Sequence, residues 1–127
     1  MENKIFSLTG TESYHSSDRC AINPVLFHHL ENAKKSAISR LITWLRDMDI
    51  IYNVDGTEYL FLDELEPEGT FDEETVAKMG KDEHNRVSVE DLSQFLNGME
   101  FCSLYAGGSH SCEDYIDIQI NEAEFED

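Results

Sequence analysis

Lysine and arginine are scarce in this sequence and unevenly placed. There are nine in 127 residues, and beyond residue 49 only Lys78, Lys81 and Arg86 remain. A protein that grips nucleic acid through its phosphates needs clustered cations, so no direct nucleic-acid binding is expected. Long apolar runs are missing as well. None approaches the ~20 residues needed to cross a bilayer, so no membrane partner is expected, and the N-terminus shows neither the basic start nor the apolar run of a signal peptide. The three cysteines, Cys20, Cys102 and Cys112, are odd in number and irregular in spacing. That is no disulfide framework, and it points to the reducing cytoplasm. Sequence motifs of enzymes are absent too: there is no P-loop, GxGxxG, HExxH or GxSxG.

Against these absences stands acid. The net charge is −18, and its distribution is lopsided. Residues 1–49 balance six acids with six bases, whereas residues 50–127 hold 21 acids against three bases. Self-repulsion of this size keeps a chain soluble and monomeric and accelerates encounter with a basic surface. The length suits a single domain over residues 1–127, with 121–127 a flexible acidic tail. With 40% hydrophobic residues the chain has enough apolar material to fold despite its charge.

Along the chain, Lys4 to Leu8 is apolar enough for a first strand. A polar run from Thr9 to Asp18 then reads as loop, with Tyr14 and His15 anchoring it. Asn23 to Asp49 carries apolar residues at helical spacing, and Asn23-Pro24 fits an N-cap followed by a first-turn proline. His28 and His29 are neighbours on that helix and point about 100° apart, so they do not form an i, i+4 metal pair. Ile50 to Leu62 has Asp55-Gly56 between two alternating runs, the preferred two-residue hairpin turn. Its register places Ile50, Tyr52, Val54, Tyr59 and Phe61 on one face, taken as the core face. Thr70-x-x-Glu73 suits a capping box for a short helix ending at Gly80, and Ser88 caps another that Asn97-Gly98 stops. Glu100 to Ala106 and Glu113 to Ile120 form a second hairpin, in which Ile116, Ile118 and Ile120 alternate with polar residues. The expected fold is α+β: a long central helix packed on a mostly antiparallel sheet built from two hairpins, with two short additional helices.

Three constellations bear on chemistry. Val87 to Leu96 looks like the exit half of an EF-hand, which sets Gly80, Asp82, His84, Asn85 and Asp91 at loop positions one, three, five, six and twelve. The first position lacks a carboxylate and the sixth lacks the turn glycine, so a capped helix start accounts for the same residues and no metal is expected. The helix and Asp-Gly hairpin resemble the recognition helix and wing of winged-helix domains. The two preceding helices and the basic recognition face of such a domain are missing. Cys112 and His110, on a glycine-rich loop, could form an activated thiol pair of a small hydrolase, whereas Cys102 reads as core.

The electrostatic reading is different in kind. An enzyme that grips nucleic acid carries a cationic cleft, and an acidic patch can cover it with fast, salt-sensitive association. The expected function is therefore an inhibitor of a basic protein, foremost the immunity partner of a nuclease toxin. The alternatives are a DNA-mimicking inhibitor of a host defence enzyme from a mobile element, and the thiol hydrolase. No catalytic residue and no cofactor belong to the leading reading. Its contact residues are Asp63, Glu64, Glu66 and Glu68 on the acidic turn, with Glu113, Asp114 and Asp117 on the last strand and Tyr105 and Tyr115 as aromatic anchors.

Overall fold

The computed structural model describes residues 4–14, 18–109 and 114–124. Its elements follow the order β1 (Lys4–Tyr14), β2 (Asp18–Phe27), α1 (Leu30–Asp47), β3 (Ile51–Val54), β4 (Thr57–Phe61), α2 (Glu73–Lys78), β5 (Arg86–Ser88), α3 (Val89–Gly98), β6 (Ser103–Gly107) and β7 (Tyr115–Glu124). The fold is α+β with a long helix, as expected, but the strands divide into two antiparallel sheets. One has the order β2-β1-β7-β6 and the other β3-β4-β5.

The first sheet corrects the reading of the N-terminal residues. The stretch from Thr9 to Asp18 is not loop throughout: β1 runs to Tyr14 and pairs with β2 on one side and β7 on the other. His15 lies outside the described residues. The helix does not begin at Asn23-Pro24 either; both residues belong to β2, and His29 is the N-cap of α1. Proline is tolerated there because β2 is an edge strand, where a missing N–H breaks no rung on the open side. Residues 121–124 are likewise strand, not frayed tail, since Asn121 to Glu124 pair with Ser7 to Lys4. An ion pair of 3.1 Å joins Lys4 to Glu122 there. Residues 125–127 lie outside the described residues.

Helix α1 is amphipathic at the spacing that the sequence shows, and buries Ala33, Ala37, Ile38, Leu41, Ile42, Trp44 and Leu45. It packs on the four-stranded sheet, whose inward residues Leu8, Ile22, Leu104, Ala106, Ile116, Ile118 and Ile120 are all buried. Each large aliphatic side chain so enclosed contributes about 1.5–3 kcal/mol. The Trp44 ring is fully enclosed, and its Nε1–H donates to Ser13 O at 3.1 Å, which removes the cost of an unpaired buried donor.

Helix α3 packs against α1 and against β4 and β5, burying Leu92 and Leu96. Ser88 caps it as the sequence suggests, accepting from Asp91 N–H at 3.1 Å. The β3–β4 turn also forms as read, with Asp55 at φ 52 and Gly56 at φ 88 and Val54 opposite Thr57. The face assignment is reversed, however. Ile51, Leu60 and Val87 line up across the three strands and are buried, whereas Tyr52 is 42% exposed and Val54, Tyr59 and Phe61 are half-buried. Ile50 is buried just before β3 begins. The side that α1 and α3 cover is therefore the Ile51–Leu60–Val87 side. On it, Arg46 of α1 reaches Glu58 of β4 with two hydrogen bonds of 2.8 and 2.9 Å.

Candidate acidic interface

The acidic stretch between β4 and α2 is held by its backbone and its apolar residues. Leu62 to Glu64 make a single 3-10 turn, after which Leu65 is buried and bridges to Gly108. Glu66 N–H donates to Gly107 O at 2.8 Å, Ser109 N–H to Glu64 O at 2.9 Å, and Ser109 Oγ to Asp63 O at 3.2 Å. The stretch thereby covers the outer edge of β6, which sequence separation alone did not announce.

The far end is fastened in the same way. Gly69, at φ 64, opens a second 3-10 turn, Phe71 is buried, and Thr70 Oγ1 accepts Tyr105 N–H at 2.9 Å. This overturns the expected capping box: the Thr70 hydroxyl serves β6, and α2 is capped by Asp72, which accepts from Thr75 N–H at 2.8 Å. The Thr75 side chain first, and then this backbone bond, hold the Asp72 carboxyl below the usual range. A Cβ at Gly69 would stand 2.7 Å from the Tyr105 ring, so glycine lets the turn lie flat on that tyrosine.

Tyr105 and Tyr115 stack with centroids 6.2 Å apart and planes 20° from parallel. Both project from the side of the sheet opposite Leu104, Ala106, Ile116 and Ile118, and Tyr105 is the rung partner of Asp117. The Tyr105 hydroxyl lies 3.5 Å from Glu68 Oε1. Burial, then the Glu68 charge and hydrogen bond, then Asp117 and Tyr115, push the Tyr105 phenol above its ordinary pKa. Losing that proton would add one more negative charge to a place already crowded with them.

Eight of the nine expected contact residues are described, and they fall along one seam. Asp63, Glu64, Glu66 and Glu68 lie on the turn that edges β6, and Tyr105, Asp114, Tyr115 and Asp117 lie on or beside the β6–β7 pair. The Asp114 carbonyl accepts Gly108 N–H at 2.9 Å and so joins the two strand ends. Glu113 lies outside the described residues. Among the described residues, no base forms an ion pair with Asp63, Glu66, Glu68 or Asp117. Asp63 instead accepts Asn85 Nδ2 at 2.6 Å. Other acids serve the fold locally: Glu73 and Glu74 begin α2, and Glu90 and Asp91 begin α3, where helix dipoles favour them.

A hollow of about 280 Å³ opens on the flank of this seam, lined by Leu62, Asp63, Leu65, Pro67, Phe71, Glu73, Val76, Lys81 and Asn85. A second groove of about 280 Å³, between α1 and α3, is lined by Lys35, Ile38, Ser39, Ile42, Arg46, Val89, Ser93 and Asn97. His110 and Cys112, the thiol pair considered from sequence, lie outside the described residues. Cys102 is exposed, contrary to its reading as core, and its carbonyl accepts Ile120 N–H at 2.8 Å. In the segment that resembles an EF-hand loop, Asp82 accepts from His84 N–H, Arg86 N–H and Arg86 Nε–H at 2.9, 3.1 and 2.7 Å, organising a turn from within. Arg86 is the first cause of the lowered Asp82 pKa.

Sequence reading missed the outer side of the β3-β4-β5 sheet. There the Arg86 guanidinium carbon sits 4.0 Å from the Tyr59 ring centroid, and Tyr52 meets Phe61 edge to face at 5.1 Å. The available signal was that both faces of the Ile50–Leu62 hairpin are apolar, so either could have been the outer one. Among the described residues no helix is long and apolar enough to cross a membrane. Comparison with protein-family models, curated proteins and solved structures finds no match to this chain.

Proposed function

We propose that this protein is an acidic inhibitor that binds a basic protein partner, most plainly the immunity partner of a nuclease toxin, and acts by covering a cationic cleft. The observation that carries the reading is the seam: carboxylates at Asp63, Glu66, Glu68 and Asp117 beside a stacked tyrosine pair, with no base of the chain paired to them among the described residues. Charge attracts the partner at a distance and sets its orientation, and Tyr105 and Tyr115 supply apolar area at short range. The turn is hydrogen-bonded to β6 before any partner arrives, so little ordering cost falls on association.

The test titrates the chain into purified nuclease toxin domains with basic surfaces, each assayed for nuclease activity with and without it. Inhibition near one-to-one stoichiometry is expected, with association slowing at least about tenfold between low salt and 0.5 M salt. Lysine substitution at Asp63, Glu66, Glu68 and Asp117 together should slow association by a similar factor at low salt and weaken its salt dependence. Absence of inhibition would sink the reading, and unchanged inhibition by that variant would remove the seam as its contact surface.

A further inference from the structure

The outer side of the β3-β4-β5 sheet shows what this surface does with a guanidinium. Arg86 lies over the Tyr59 ring at 4.0 Å while its Nε donates to Asp82 Oδ2 at 2.7 Å. Ring and carboxylate hold the cation together, one through the negative face of the π system and the other through a charge-assisted hydrogen bond. Beside it, Tyr52 is the rung partner of Tyr59, and Phe61 lies two residues beyond Tyr59 on the same side. The Tyr52 and Phe61 rings meet at 5.1 Å and 70°, with Tyr52 42% exposed. Asp49, exposed and held at φ 58, precedes β3, and Glu64 follows β4. Phe61 N–H donates to Ile50 O at 3.1 Å, which sets the chain at Asp49 beside the chain that leads into the Glu64 turn; burial, then Glu64, then Asp49, raise the Tyr52 phenol above its ordinary pKa, in keeping with that placement. Among the described residues, no base of the chain stacks on Tyr52 or Phe61.

We infer that Tyr52, Phe61, Asp49 and Glu64 form a receptor for an arginine side chain of the basic partner, repeating between molecules the arrangement that Arg86 makes within this one. The inference takes from the proposed function that the partner is a basic protein, and adds what that partner inserts. Arginine fits better than lysine because its planar guanidinium stacks on a ring while its edge pairs with a carboxylate. Glu64 belongs to both places, so the docking surface runs from the tyrosine seam, along the acidic turn, to Tyr52.

The experiment is an amide-resolved NMR titration of the whole chain with N-acetyl-arginine amide and, separately, N-acetyl-lysine amide. Shift changes from the arginine probe should concentrate at Asp49, Tyr52, Phe61 and Glu64, and the lysine probe should bind more weakly. Tyr52→Ala should weaken arginine binding about three- to fivefold, the size of an exposed cation–π contact, and Tyr52→Phe should keep it. Asp49→Asn removes the charge while keeping a residue that accepts positive φ, and should also weaken binding. Shifts scattered over the acidic surface, equal binding of the two probes, or undiminished binding by a folded Tyr52→Ala or Asp49→Asn chain would each overturn the inference. The probes need no partner: focused arginine binding by a chain that inhibits no nuclease refutes the inhibitor reading and leaves the receptor standing.

Discussion

Replacing Gly10 by alanine would test the four-stranded sheet at its tightest point. Gly10 lies in β1 opposite Ile118 of β7, next to an irregularity in the β1–β2 register between Leu8 and Gly10. Its φ is +151, and an added Cβ would stand 1.9 Å from the Asp117 carbonyl oxygen and 3.0 Å from Ile118 Cα. Both obstacles are backbone, so no side chain can swing aside. Relief requires β1 and β7 to part by roughly an ångström, which weakens about two rungs at ~1 kcal/mol each. The parting also disturbs packing around Leu8 and Ile118, both fully buried, at about 1–3 kcal/mol. A loss of about 3–5 kcal/mol follows, a large part of the ~6–19 kcal/mol expected for a chain of this length. At about 4 °C per kcal/mol the midpoint should fall by ~12–20 °C. Thermal and urea unfolding followed by Trp44 fluorescence would measure it, because that ring is buried against this sheet's hydrogen-bonded Ser13. The control is Gly56→Ala, which meets nothing within 4 Å and bears only positive-φ strain of about 1 kcal/mol. A Gly10→Ala chain no less stable than the Gly56→Ala chain would refute the close approach of β1 to β7.

Further substitutions test separate parts of the fold. Leu60→Ala should cost about 2–5 kcal/mol by urea unfolding, because Leu60 is fully buried between Ile51 and Val87; Tyr52→Ala, on the outer side, should cost less, and the reverse order would show the hairpin facing the other way. Ser88→Ala should cost about 1 kcal/mol by removing the acceptor for Asp91 N–H, again read by urea unfolding. Asp82 has a folded pKa below its ordinary value, chiefly through Arg86, so its contribution is present above about pH 4 and lost as pH falls through the depressed value. Asp82→Asn should therefore destabilise at pH 7 by an amount that shrinks as pH falls below about 4, and a deficit that does not change with pH would contradict that coupling.

The parts that sequence announced are those where one local requirement admits one answer. Asp55-Gly56 needs positive φ at both positions, and Ser88 precedes a helix with a free N–H at Asp91; both appear as read. Asn23-Pro24 satisfies two requirements equally, since proline suits the first turn of a helix and also an edge strand. The pairing of β1 with β2 and β7 chose the second. Thr70 and Asp72 are both good caps, and the choice was made from a distance by Tyr105 N–H, which takes the Thr70 hydroxyl. The β3–β4 hairpin carries large apolar residues on both faces, so alternation could fix its register but not which face α1 and α3 would cover. Tyrosine tolerates the outer side because its ring can lie half-covered while its hydroxyl stays wet. For the candidate site, the excess of acid and its place on the turn and the last strand were legible, but the contacts that close the turn onto β6 were not, because they join residues about forty positions apart.

How that turn is held bears on what its carboxylates are for. Like charges brought together repel, and a fold that gathers Asp63, Glu66, Glu68 and Asp117 with no base ion-paired to them among the described residues must supply the holding energy from elsewhere. Here it comes from Leu65 and Phe71 as buried pins, and from bonds made by backbone groups with one another and with the hydroxyls of Thr70 and Ser109. Asp72 and Asp82 show the other use of acid in this chain, their oxygens engaged by groups a few residues away. Glu66 and Asp117 have no such engagement among the described residues, and Glu68 has only the long contact to the Tyr105 hydroxyl. A basic partner would relieve their mutual repulsion on binding, so the same arrangement that costs the free protein stability would favour the complex.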